Sequence, residues 1–158
     1  MTFHGSTTVQ DRIFASLPYL LPLMDVLPFG GFLFKQFPAI ALIYLPLQPL
    51  LAIYSQPFVS LVIFFVLFLA VVRNEKIAHF VRFNVMQAIL IGIVLALLGL
   101  AFSILVPVLR GTGLLLETLS NVIFLGTLAA SFYGIVQSAL GRYAEMPGIS
   151  EASYLQVR

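Results

Sequence analysis

Apolar residues fill this chain in long blocks rather than in alternation, and the blocks predict helices of membrane-crossing length. Residues 85–108 carry no charge and only Gln87 and Ser103 as polar side chains, and Pro107 with the RGTG turn at 110–113 ends the run. At about 1.5 Å per residue such a run crosses a hydrocarbon core of about 30 Å, so this is the plainest predicted span. A second begins after Glu117, covers 119–140 and stops at Gly141-Arg142-Tyr143. There the glycine ends the helix and Arg142 reaches the headgroups.

The earlier half is more broken. Residues 58–72 are uninterrupted but cover only about 22 Å, and extension back through Ser55 closes the gap. Residues 13–29 are apolar apart from Ser16, Tyr19 and Asp25, yet Pro18, Pro22 and Pro28 punctuate them. Each proline removes a backbone donor, so a kinked span packed against protein is expected. Residues 37–57 contain Pro38, Pro46, Pro49 and Pro57 together with Gln48, Ser55 and Gln56. They predict a short, broken or interfacial helix in preference to a fifth span. The predicted fold is an all-α integral membrane protein with four transmembrane helices, at about 12–30, 55–72, 84–108 and 118–140. One transmembrane domain, 12–142, lies between polar tails at 1–11 and 143–158.

Composition agrees. Of 158 residues, 61% are hydrophobic and 9% charged, against roughly 25% charged in soluble domains. Fourteen charged side chains, 8 basic and 6 acidic, cannot cover a soluble globule of this size, so lipid or other protein must cover most of it. A net charge of +2 is too mild for a nucleic-acid face, and nucleic acid is excluded as a partner. With four spans, Arg12, Arg73, Lys76, Arg82, Arg142 and Arg158 fall on one side and Lys35 and Arg110 on the other. The positive-inside rule then places the loop 73–82 and both termini in the cytoplasm, or in the stroma of a plastid. A five-span alternative exchanges only Arg12 and Lys35. The N-terminus shows neither an Arg- and Ser-rich transit peptide nor a secretory signal, so targeting is expected to reside in the spans.

Small residues recur every fourth position in the last span, at Gly126, Ala130, Gly134 and Ser138, and in the preceding one at Ala88, Gly92 and Ala96. Such faces let helices approach closely, and the two spans are predicted to form a close antiparallel pair. Five polar side chains at membrane depth need an explanation: Asp25, Asn84, Gln87, Asn121 and Gln137. Asp25 reads either as a path-lining or proton-linked carboxylate, or as a group satisfied by backbone freed at the prolines. Asn84 and Gln87 share a helix face just after Arg82 and read as headgroup or interhelical hydrogen bonding. Asn121 and Gln137 read as interhelical glue at the two ends of the last span, and all five are candidate path-lining groups. Arg73, Lys76, His79 and Arg82 are assigned to a cytoplasmic or stromal loop.

Enzyme chemistry finds no footing. The histidines, His4 and His79, have no partners at metal-ligand spacing, cysteine is absent, and RGTG lacks the lysine and strand of a phosphate loop. No metal and no cofactor is expected.

Four phrases are distinctive: SLPYLLPLMDVLPFG at 16–30, VVRNEKIAHFVRFNVMQAIL at 71–90, ETLSNVIFLG at 117–126, and SALGRYAEMPGISEASYLQVR at 138–158. Together they resemble the twenty-kilodalton Tic family, the chloroplast inner-envelope translocon subunit, over nearly the whole chain. The pairing of RFNxMQA with GRYAExPxIS is the most specific part. The resemblance implies four spans with both termini on the stromal or cytoplasmic side. It also implies a role in the inner-envelope protein import channel, as pore component or core. The long N-terminal extension of nucleus-encoded members is missing, which resembles a cyanobacterial or plastid-encoded member in a plasma, thylakoid or inner-envelope membrane. The implied partners are the lipid bilayer, other membrane subunits or further copies of the chain, and precursor polypeptides. The alternative is a structural or assembly subunit of a larger membrane complex.

Overall fold

The computed structural model describes residues 6–158, and every regular element among them is helical. The first predicted span is bent as its prolines require. It is built of α1 (Val9–Ser16), a 3₁₀ turn (Leu17–Tyr19), α2 (Leu20–Asp25) and a second 3₁₀ turn (Leu27–Phe29). Pro18 and Pro28 each open one of the 3₁₀ turns, where a missing N–H costs least. α1 begins inside the segment read as a polar tail. Thr8 caps it, its hydroxyl accepting from the Asp11 N–H while the Asp11 carboxylate accepts from the Thr8 N–H. His4 lies outside the described residues.

α3 (Gly31–Gln36), a 3₁₀ run (Pro38–Leu47) and α4 (Gln48–Tyr54) follow. The chain then turns by 95° into a helix that starts as α5 (Val59–Val66) and ends as a π-helical segment (Leu67–Val72). The proline-rich segment is thus broken, as the sequence predicts. The expected extension back through Ser55 is not there: Ser55 caps α4, and Phe58, at φ 65, breaks the path between the two helices.

Two helices dominate, α6 (His79–Val108) and α7 (Gly113–Ala139), and both are long and apolar enough to cross a membrane. The bent pair supplies a third crossing if its two arms count as one. At 30 residues α6 is about 45 Å long, well beyond a core of about 30 Å. Its early turns are accordingly housed in protein: residues 80–89 are all buried, whereas Leu97, Leu100, Ile104 and Val108 point outward. His79 and Arg82 therefore belong to the first turn of α6 and not to a loop; Arg73 and Lys76 do lie exposed in the connection before it. α7 likewise starts before Glu117, at Gly113.

The interior is filled by Tyr19, Leu23 and Val26 of the first segment, Phe83 of α6 and Phe124 of α7. The broken first segment lies against both long helices and separates them over part of their length. The segment 143–158, read as a polar tail, is folded: α8 (Ile149–Gln156) packs on α6, and Ala144, Ser150, Ser153 and Val157 are buried.

Charges gather at the ends of this bundle. A Cβ placed on Gly141 would lie 2.9 Å from the Arg12 guanidinium, and Arg82 donates to the carbonyls of Val72 and Arg158, so 12, 73, 82, 142 and 158 share one end. Gln36 donates to Glu117 at 2.7 Å, which places the close of α3 beside the start of α7 at the other. The first segment therefore runs the length of the bundle.

Candidate functional site

Two polar constellations occupy the interior. The first joins phrases far apart in the sequence. Gln87 donates through Nε2 to the Tyr19 hydroxyl at 2.9 Å and to the Ala144 carbonyl at 2.5 Å, and its Oε1 accepts from Ser150 Oγ at 2.6 Å. The Tyr19 hydroxyl in turn donates to Asn84 Oδ1 at 2.7 Å, which also accepts from Ser138 Oγ at 3.1 Å. Asn84 Nδ2 donates to the Phe80 carbonyl, and the Met146 N–H donates to Ser150 Oγ at 2.5 Å. Asn84 and Gln87 are both 0% exposed. Their groups are satisfied by helices α6 and α7, the Tyr19 turn and the C-terminal segment, as buried amides require. They present no surface to a path or to headgroups.

A shell of rings and charges seals this network. Phe83 packs on Tyr154 at a centroid distance of 4.5 Å and on Tyr143 at 5.0 Å. His79 Nδ1 meets the Tyr143 hydroxyl at 2.9 Å and Nε2 meets the Val157 carbonyl at 3.2 Å. Arg82 Nε and Nη1 donate at 2.9 Å to the carbonyls of Val72 and Arg158. Burial pushes the Tyr143 phenol up to about 12, and burial together with the hydrogen bond to Glu145 raises that of Tyr154 as well.

The second constellation is at membrane depth. Asp25 ends α2, and its Oδ1 accepts from the Tyr54 hydroxyl at 2.6 Å, tying the first segment to α4. A Cβ on Gly92 would lie 3.3 Å from Asp25 Oδ2, so the small residue on α6 makes room for the carboxylate. Gly92 lies ten residues past Arg82, about 15 Å along the helix. Asp25, Tyr54 and Gly92 border a cavity of about 490 Å³ that also touches Ser60 and Ser120. The partner of Asp25 Oδ1 is thus the Tyr54 phenol rather than a backbone amide freed at the prolines.

The small-residue faces do not mate with one another as expected. α6 and α7 are antiparallel, since Asn84 meets Ser138 while Leu95 and Leu98 share a groove with Ile123 and Thr127. However, Ala88, Gly92 and Ala96 line the Asp25 cavity on the flank of α5. Gly134 lies against the Tyr19 ring, so tightly that a Cβ there would strike it. Gly126 and Ala130 border a groove of about 230 Å³, and nothing lies within 4 Å of a Cβ built on Gly126. The inserted first segment, which periodicity on two helices says nothing about, takes the place of the expected partner. Asn121 Oδ1 and Ser131 Oγ are buried without hydrogen-bond partners, and Gln137 is half-buried outside the network.

Sequence reasoning missed Tyr54, Ser150 and the Ala144 carbonyl. Ser150 and Ala144 do lie within the GRYAExPxIS phrase. Its joining to RFNxMQA through Gln87 explains why the two phrases occur together, and comparison with known proteins gives that pairing a context. The family profile described as "Chloroplast import apparatus Tic20-like" matches residues 8–153. The chain belongs to the Tic20 family. A "Tic20 family protein" of Synechocystis sp. is 56% identical over 100% of this chain and 99% of its own length. "Protein TIC 20-II, chloroplastic" of Arabidopsis thaliana is 35% identical over 96% of this chain and 74% of its own. "Tic20 family protein Ycf60" of Gracilaria tenuistipitata is 34% identical over 95% and 76%. The family is described as part of an import apparatus, and the helices of this chain that are long and apolar enough to cross a membrane fit a membrane component of it.

Proposed function

We propose that this Tic20 protein is a translocon-type membrane subunit that contributes to a polypeptide path in company with other subunits or further copies of itself. The observation that carries this reading is the profile match over residues 8–153 to a protein-import apparatus. Packing sets its form. Four helices at 8–10 Å spacing leave diagonals of about 11–14 Å, which helix diameters of about 10–12 Å fill. Here the centre holds Tyr19, Phe83 and Phe124, each 0% exposed. A path therefore runs along the outside of one copy, between copies or against a partner.

The chain crosses the bilayer four times, in segments 12–30, 59–72, 84–108 and 118–140 of the transmembrane domain, with the arm 37–57 running in from the far interface to Tyr54 at the depth of Asp25. Residues Gln36 near Glu117 and Val72 near Arg82, at opposite ends of the bundle, support that course. The basic end, with both termini, faces the cytoplasm or stroma. Its membrane is a plastid inner envelope or a cyanobacterial plasma or thylakoid membrane. Asp25, Asn121 and Gln137 are the polar groups left to meet a path. The buried amides Asn84 and Gln87 hold the scaffold.

A structural or assembly subunit is the second reading, favoured by the complete satisfaction of the Asn84–Gln87 network. Photo-crosslinking residues at positions 25, 126 and 137, with captured proteins identified by mass spectrometry, separate the two. Precursor polypeptides caught in transit support the path. Capture of fixed membrane subunits alone sinks it and leaves the scaffold.

A further inference from the structure

α1 and the π-helical segment pack on α6 from two flanks, and a hollow of about 670 Å³ lies between them. Phe14 and Leu17 form one wall, Leu67 and Val71 the other, and Val81 and Val85 of α6 the floor. Leu21, Ile63 and Leu67 border both this hollow and the Asp25 cavity, so the two adjoin as halves of one cleft. Phe14 and Leu17 are more than half exposed, which places the cleft on the outer, lipid-facing surface. Polar side chains enter the upper half at Gln10, Asp11 and Lys76, which belong to the basic end of the bundle. Asp11 is committed to the cap of α1, where its carboxylate accepts from the Thr8 N–H at 3.0 Å. Lys76 is exposed.

We propose that this cleft binds an anionic glycerophospholipid from the leaflet at the basic end, with an acyl chain along the Phe14–Leu67 walls and the phosphate at Lys76. The lining carries the polarity of such a molecule in order: apolar through the membrane-facing stretch, with the Lys76 cation and the Gln10 amide at headgroup height and the Asp11 carboxylate beside them held in the cap of α1. Its volume falls within the range of about 300–1,000 Å³ usual for small-molecule sites. Basic pockets between helices on the cytoplasmic face suit acidic headgroups, and this end holds six of the eight basic residues against four of the six acidic ones by sequence position, a net positive balance. A polypeptide is a poorer occupant, because its backbone N–H and C=O groups would meet only hydrocarbon walls. The wall at Leu67–Val72 is also irregular: the Arg73 N–H reaches the Phe68 carbonyl, five residues back, at 3.1 Å. Such wide turns gather at functional sites, and this one belongs to the flank that stands away from α1.

This inference rests on the membrane reading and not on polypeptide conduction, so it survives a failed crosslinking test. The measurement is native mass spectrometry of the full chain released from nanodiscs of equal phosphatidylglycerol and phosphatidylcholine. One retained phosphatidylglycerol per chain is expected, with Lys76→Gln lowering the ratio of retained phosphatidylglycerol to phosphatidylcholine by about fivefold, the effect of one lysine at a membrane surface. Ala78→Trp, which puts an indole at the exposed mouth, should abolish retention of either lipid while thermal unfolding stays unchanged. Arg73→Gln, outside the lining, should leave the ratio as it is. Equal retention of both lipids, an equal loss in Arg73→Gln and Lys76→Gln, or retention undiminished in Ala78→Trp would each overturn the site.

Discussion

Ser150 donates its hydroxyl to the side-chain carbonyl of Gln87 at 2.6 Å, across 63 positions of sequence, and so fastens the C-terminal segment to the buried turns of α6. Gln87 has no spare capacity: both Nε2 protons are given, to Tyr19 and Ala144, and Oε1 is taken. Replacement by leucine keeps the volume and strands three polar partners. Gln87→Leu should therefore lose about 2–4 kcal/mol. Thermal unfolding in detergent checks the size, and faster proteolysis within 143–158 checks the cause. Unchanged proteolysis would show that the segment is held by other means.

Gly134 and Gly126 have equal standing in the small-residue repeat and unequal surroundings. A methyl group on Gly134 meets the Tyr19 ring, whereas one on Gly126 meets nothing within 4 Å. Gly134→Ala should cost about 1–3 kcal/mol through overpacking. Gly126→Ala should stay within about 1 kcal/mol of the parent, since alanine is the better helix former. Paired melting curves decide it, and similar losses in both would contradict the packing.

Asp25 and Tyr54 share one hydrogen bond of 2.6 Å, and the two halves of the pair are not equivalent. Asp25→Asn keeps an acceptor for the phenol and removes a formal charge from membrane depth, so stability should hold or rise. Tyr54→Phe removes the donor and leaves the carboxyl group without it, costing about 1–3 kcal/mol. The ordering of the two melting temperatures is the test. A more damaging Asp25→Asn would mean that the charge itself is held by something beyond Tyr54.

Burial raises the Tyr143 phenol from 10.0 to about 12. Below pH 10 the ring is neutral folded or unfolded, and its contribution is fully present. Between pH 10 and about 12 the unfolded chain loses the proton first, so folding stability falls as pH rises through that window. The C-terminal segment should loosen there, read as rising proteolysis or amide exchange in 143–158. Tyr143→Phe should lessen the slope without abolishing it, because Tyr154 is raised in the same direction.

Periodicity and composition were enough for the helical class, for the two long spans and for the kinks. Block hydrophobicity, prolines and stop signals act within one stretch of chain, and lipid leaves the backbone little choice but helix. The location of the polar residues to be explained was legible too, since Asp25, Asn84 and Gln87 are conspicuous in apolar runs. What each one touches was not. Gln87 finds Ser150, Asn84 finds Tyr19 and Ser138, and Asp25 finds Tyr54, all partners brought in by segments that cross or fold back. The charged, serine-bearing stretch 143–158 looked like a tail because its polar atoms are satisfied only once α6 is present. Of the small-residue positions, Gly134 and Gly92 meet a close neighbour and Gly126 meets none, because a helix periodicity fixes which face is smooth and not which surface arrives there. That choice was made by the proline-broken first segment, whose Tyr19 ring fits over Gly134 and whose Asp25 fits beside Gly92.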